Sequence, residues 1–117
     1  MNEDILIKAL EWAKKKGFKE VMAETEGYET PVEIQRPNEE IGIKPHITGL
    51  MNGNKTYIEV VSKDEEKQTT ISKWKLLSFL AGRKGGHLYL MAPRGTKRFA
   101  ETILKDYSLS NTRIVNI

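Results

Sequence analysis

Asn52-Gly53 lies between two runs of β-forming residues, Ile47 to Met51 and Lys55 to Val61, and constrains the fold more than any other segment. Asn-Gly suits a two-residue type I′ turn because both central positions need positive φ. With that dipeptide as the loop, Met51 pairs with Asn54. The register then sets Ile47 against Ile58, Thr48 against Tyr57 and His46 against Glu59. Side chains alternate between the faces of a strand. One hairpin face therefore carries Ile47, Met51, Ile58 and Val60, and the other His46, Thr48, Tyr57, Glu59, Val61 and Lys63.

The flanking segments read as helices and further strands. Ile5, Leu6, Ala9, Leu10 and Ala13 recur at helical spacing after Asn2, a candidate N-cap, and Lys14-Lys15-Lys16-Gly17 closes the pattern, predicting a helix over 3–16. Val21-Met22-Ala23 is β-like. With the glutamate-rich stretch around Val32 and Ile34 that follows, this region is read as two strands with a turn near Pro37-Asn38. Ile71, Trp74, Leu77 and Ala81 describe a second helix that stops near Gly82 or at Gly85-Gly86, and Leu88 to Met91 reads as a buried strand. Thr96 is a candidate N-cap for a third helix bearing Phe99, Ala100, Ile103, Leu104 and Tyr107; Ile114, Val115 and Ile117 make a last strand. The run from hairpin through helix to Leu88–Met91 forms a β-α-β crossover, for which right-handed parallel pairing is strongly favoured. The expected class is α/β, with a mixed sheet flanked by helices in the order α-β-β-β-α-β-α-β.

A chain of 117 residues with 38% apolar content suits one core, so residues 1–117 are expected to form a single domain. No cysteine is present, which excludes disulfides, thiolate metal sites and cysteine nucleophiles. Met1-Asn2-Glu3-Asp4 lacks the basic flank and apolar run of a signal peptide, and no stretch is apolar enough to span a membrane. A cytoplasmic protein without membrane association is expected. The net charge of +3 divides unevenly: residues 1–66 hold nine Lys/Arg against fourteen Asp/Glu, and residues 67–117 hold ten against two. Basic clusters of that size neutralise phosphates. Lys73, Lys75, Arg83, Lys84, Arg94, Lys97 and Arg98 are thus candidate nucleic-acid contacts, against the plainer alternative of a solvated helical surface.

Pro45-His46-Ile47, the hairpin Asn52 to Val61, Trp74, and His87-Leu88-Tyr89-Leu90-Met91-Ala92-Pro93 together resemble the restriction-endonuclease-like superfamily. The resemblance covers roughly residues 41–107 and implies an αβββαβ core, extended here by a C-terminal helix and strand. Members carry a Pro-Asp, a hairpin and an (Asp/Glu)-x-Lys, whose acids bind Mg²⁺ and whose lysine orients the attacking water. Glu59 matches the second acid, whereas His46 stands for the aspartate and Val61 for the lysine. On this resemblance, the catalytic candidates are Glu59, His46, Lys63, Lys73 and Gln68. Lys63 lies on the Glu59 face about 13 Å further along an unbroken strand, and Lys73 is a lysine supplied instead from the helix. Glu59, His46, Glu11 and Glu20 are candidate ligands for Mg or Mn, the cofactors an active enzyme would use. Glu24 is a further candidate acid, and His46 beside Glu59 otherwise reads as a hydrogen-bonded cross-strand pair.

Other patterns carry less. Gly82-Arg83-Lys84-Gly85-Gly86 lacks the Gly-Lys-Ser/Thr of a phosphate loop. His87 has no acid or serine at triad spacing, and Trp12 and Trp74 suit a core better than a base-stacking surface. Three functions remain in competition: a nuclease fold with an inactivated metal site, retained for binding nucleic acid or a partner; an active Mg- or Mn-dependent endonuclease with migrated residues; and a protein-interaction subunit or homodimer.

Overall fold

The computed structural model describes residues 2–35, 37 and 42–117. Its elements run α1 (Glu3–Lys15), β1 (Lys19–Ala23), β2 (Ile47–Met51), β3 (Asn54–Val60), α2 (Lys67–Arg83), β4 (Leu88–Ala92), α3 (Lys97–Asp106) and β5 (Thr112–Asn116). Local chemistry accounts for most of these boundaries. The Asn2 side chain accepts a hydrogen bond from the Asp4 N–H at 2.8 Å. Glu3 and Asp4 open α1 and Lys14 and Lys15 close it, charges that oppose the helix dipole at both ends. Asn52 and Gly53 both take positive φ, 52° and 81°, and β2 pairs with β3 in the register that turn requires, Met51 with Asn54 through Ile47 with Ile58.

The strands form one five-stranded sheet in sequence order, β1-β2-β3-β4-β5. The first three are antiparallel neighbours, and β3, β4 and β5 are parallel. Parallel neighbours need crossovers, and α2 and α3 supply them. Tyr57 and Val61 of the hairpin, Ile71, Trp74, Leu77 and Ala81 of α2, Leu88 and Leu90 of β4, and Ala100 and Ile103 of α3 share one core. On the opposite face, Leu6, Ala9, Leu10 and Ala13 of α1 pack with Ile47, Ile58, Val60 and Met91. The sheet is thus mixed and covered on both faces.

Several expectations change. The hairpin face carrying Thr48, Tyr57, Glu59 and Val61 lies inside the fold; all four residues are buried, Tyr57 and Val61 in the core shared with α2 and Thr48 beside Val32 and Ile34. Among its described residues, the glutamate-rich stretch forms no pair of strands. A single antiparallel bridge joins Ile34 to Ile43; Pro37 lies in a turn and Asn38 falls outside the described residues. Val32 stays 69% exposed, whereas Ile34 packs against the core on the α2 face. β3 ends at Val60, which leaves Lys63 beyond the strand. Thr96 is the N-cap residue of α3 but makes no capping bond; its hydroxyl donates to the Pro93 carbonyl at 2.7 Å.

The glycine-rich link after α2 has a structural cause. Gly85 takes φ +74°, and a Cβ on Gly86 would meet the Lys55 carbonyl oxygen at 1.9 Å. Only glycine lets the backbone pass that close to the start of β3.

Candidate functional site

Glu59 lies on β3 between Tyr57 and Val61, facing α2, with its side chain 2% exposed. An isolated buried carboxylate is costly unless donors surround it. Two donors do. Lys73 Nζ sits 2.8 Å from Oε1, and the His46 backbone N–H donates to Oε2 at 2.6 Å. Lys73 reaches inward because it shares an i, i+3, i+7 row with Thr70 and Leu77, both buried. Its side chain is only 17% exposed, so the solvated-surface reading of Lys73 is replaced by an ion pair between a half-buried lysine and a buried glutamate. Burial pushes the Glu59 carboxyl above its ordinary range, while the Lys73 charge, a Lys73 hydrogen bond and the His46 N–H pull it back.

His46 precedes β2, and its partnership with Glu59 is not a simple contact between side chains. The Val60 N–H donates to His46 Nδ1 at 2.9 Å. The histidine ring and the glutamate carboxylate thus take over from backbone carbonyls at the end of the hairpin, each accepting a main-chain N–H from the other strand. Nδ1 also lies 3.6 Å from Oε2, but this is not an ion pair. A ring nitrogen that accepts a hydrogen bond carries no proton, so the imidazole is neutral with its proton on Nε2. Burial and then the Lys73 charge lower the His46 pKa to about 3, against an upward pull from Glu65.

This donor set does not fit Mg²⁺ or Mn²⁺. Both Glu59 oxygens are engaged within the protein. Nδ1 of His46 is occupied by Val60 and Nε2 carries the proton, leaving the ring no lone pair for a metal. Among the described residues, no group of three or more His, Asp and Glu side chains is arranged to hold an ion. Magnesium needs near-octahedral oxygen coordination, which one internally bound carboxylate does not provide.

Two cavities flank the pair. The first, about 620 Å³, is lined by Lys73, Gln68, Thr69 and Glu65 together with Ile43 and Lys44. The second, about 540 Å³, is lined by His46, Val61, Lys63, Glu65, Pro93 and Thr96, beyond the carboxyl ends of β3 and β4, where open α/β sheets bind ligands. The fold therefore brings Glu59, His46 and Lys73 into contact, puts Gln68 beside Lys73 in one wall, and sets Lys63 with His46 in another. Glu11 and Glu20 are exposed, on α1 and β1, and neither lines these cavities. Glu24 is also exposed, 3.8 Å from Lys44. Glu65 borders both cavities and was not signalled by the motif; its only sequence cue is its place in the acidic Asp64-Glu65-Glu66 link before α2.

The basic candidates separate from this site. Lys75, Arg83, Lys84, Arg94, Lys97 and Arg98 are all exposed. Trp74 is buried and Trp12 half-buried, its ring tilted against that of Tyr89 with centroids 5.0 Å apart. No helix among the described residues is long and apolar enough to cross a membrane. No family model, curated protein or solved structure matches the chain.

Proposed function

We propose that the chain is a restriction-endonuclease-like protein that binds nucleic acid and whose Glu59 site has become a structural ion pair in place of a metal centre. The observation that carries this reading is the double engagement of Glu59, one oxygen on Lys73 and the other on the His46 N–H. A carboxylate so held has its charge balanced without a metal ion and exposes nothing to substrate. Binding is supported by the charge distribution: residues 67–100 contain eight Lys/Arg and no Asp/Glu, and all of those cations except Lys73 are exposed. Such a surface attracts phosphates through counterion release.

Oligonucleotide binding and cleavage, measured with Mg²⁺ and with Mn²⁺, test the reading together. Salt-dependent binding without metal-dependent cleavage is the expected result. Cleavage that disappears in Glu59→Ala would replace it with the second reading, an active nuclease. One observation favours that alternative: Lys73 touches Glu59, as a lysine supplied from the helix would.

A further inference from the structure

The outer face of α2 presents an aromatic ring framed by cations. Phe79 is 61% exposed, the most exposed aromatic side chain among the described residues. Lys75 and Arg83 stand four residues before and after it, on the same row of the helix. The Arg83 guanidinium lies 5.8 Å from the Phe79 ring centroid, and Lys75 Nζ lies 5.6 Å from that of Tyr107, itself 40% exposed. An open groove of about 720 Å³ runs beside this row, between α2 and the segment leading into β5, with Ser78, Ser108, Ser110 and Asn111 in its walls.

The chemistry of this surface selects an occupant. An exposed phenyl ring offers a π-face and no hydrogen bond, so it suits a flat apolar partner. Two flanking cations suit an anion repeated at intervals along a chain. Unpaired bases on a phosphate backbone meet both requirements, since base–aromatic stacking tolerates any sequence and cations track the backbone. A duplex does not, because its bases already stack on one another. A protein partner fits less well: interface cores are depleted of charge and built on contiguous apolar surface, whereas here a ring stands among cations and a serine-lined groove. α2 carries no acid, and the acids of α3 are Glu101 and Asp106.

We infer that the Lys75–Phe79–Arg83 row of α2, with Tyr107, is a stacking platform for single-stranded nucleic acid. The inference rests on the nucleic-acid reading above and adds a surface and a strand preference, remote from Glu59. Fluorescence anisotropy with labelled oligo(dT), oligo(rU) and a DNA duplex of equal length, each at low and moderate salt, tests it. The wild-type chain is expected to bind the single strands more tightly than the duplex. Phe79→Ala should weaken single-strand binding by about 5- to 150-fold with no change on duplex, and Phe79→Trp should restore it. Lys75→Ala with Arg83→Ala should flatten the salt dependence. Unfolding midpoints check that each variant is folded.

Single-strand affinity unchanged in folded Phe79→Ala, while the wild type binds nucleic acid, overturns the platform and leaves the broader reading standing. No binding to any oligonucleotide at low salt overturns both. Binding of poly-glutamate as tight as oligo(dT) overturns the platform in favour of an acidic protein partner.

Discussion

Lys73 and Lys75 stand two residues apart on one helix and do opposite things. Lys73 points inward, half-buried against Glu59; Lys75 points outward, over the ring of Tyr107. About 200° of helical rotation separates them. The inner lysine is part of the architecture, because Glu59 is buried in the core and needs a counter-charge. The outer one stands in solvent, where a charge costs the fold almost nothing and remains available to a partner. Identical residues thus become architectural or solvent-facing according to the row they occupy, and one of the cations of α2 is engaged within the fold.

Removing the inner lysine gives the largest effect. Lys73→Ala leaves Glu59 buried without its counter-charge and is expected to destabilise the fold by roughly 3–5 kcal/mol, read from chemical denaturation. Replacing both partners, Glu59→Met with Lys73→Met, should cost less than Lys73→Ala alone, because it removes both desolvation penalties. A double variant less stable than the single one would show that Glu59 serves chiefly the His46 N–H.

The histidine sharpens the comparison through pH. His46→Ala leaves the Val60 N–H without its acceptor and should cost about 1–3 kcal/mol. His46→Asn keeps an acceptor oxygen near the Nδ1 position and should cost less. In the unfolded chain His46 takes up a proton near pH 6.5, and in the folded chain only near pH 3. The unfolded state therefore binds more protons between those values. The contribution of His46 to stability is complete above pH 6.5 and is lost as the pH falls toward 3. Glu59 acts in the opposite sense. Its raised folded pKa favours the folded state while the carboxyl is protonated, and that contribution fades as the pH rises through the folded value. His46→Asn should therefore flatten the acid-side decline in denaturation midpoint. An unchanged decline would assign acid sensitivity to other groups.

Lys75→Ala gives the smallest effect, within about 0.5 kcal/mol of the wild type in stability. A loss comparable to that of Lys73→Ala would collapse the distinction between the two rows.

The histidine and the two lysines also show how far a sequence can be read. The Asn52-Gly53 turn, the hairpin register and the Asn2 cap are set by residues a few positions apart, through φ preferences and short hydrogen bonds, and the structure agrees with each. Juxtaposition of His46 with Glu59 followed from that register. Its form did not, because whether a ring nitrogen or a carbonyl receives the Val60 N–H depends on where β2 begins. Around Ile34, where two strands were expected, the described residues form a single bridge, Ile34 to Ile43.

The sequence by itself therefore determined the order of elements, the turn, the register and the concentration of positive charge in residues 67–100. Each depends on local backbone preference or on composition alone. Only the tertiary structure decided that the hairpin's polar-looking face is buried, that Lys73 rather than Lys63 meets Glu59, and that Phe79 remains exposed between two cations. These outcomes depend on how α2 rotates and docks as it crosses from β3 to β4. That rotation is fixed by the summed burial of Ile71, Trp74, Leu77 and Ala81 against the sheet, a collective packing term that no single residue announces.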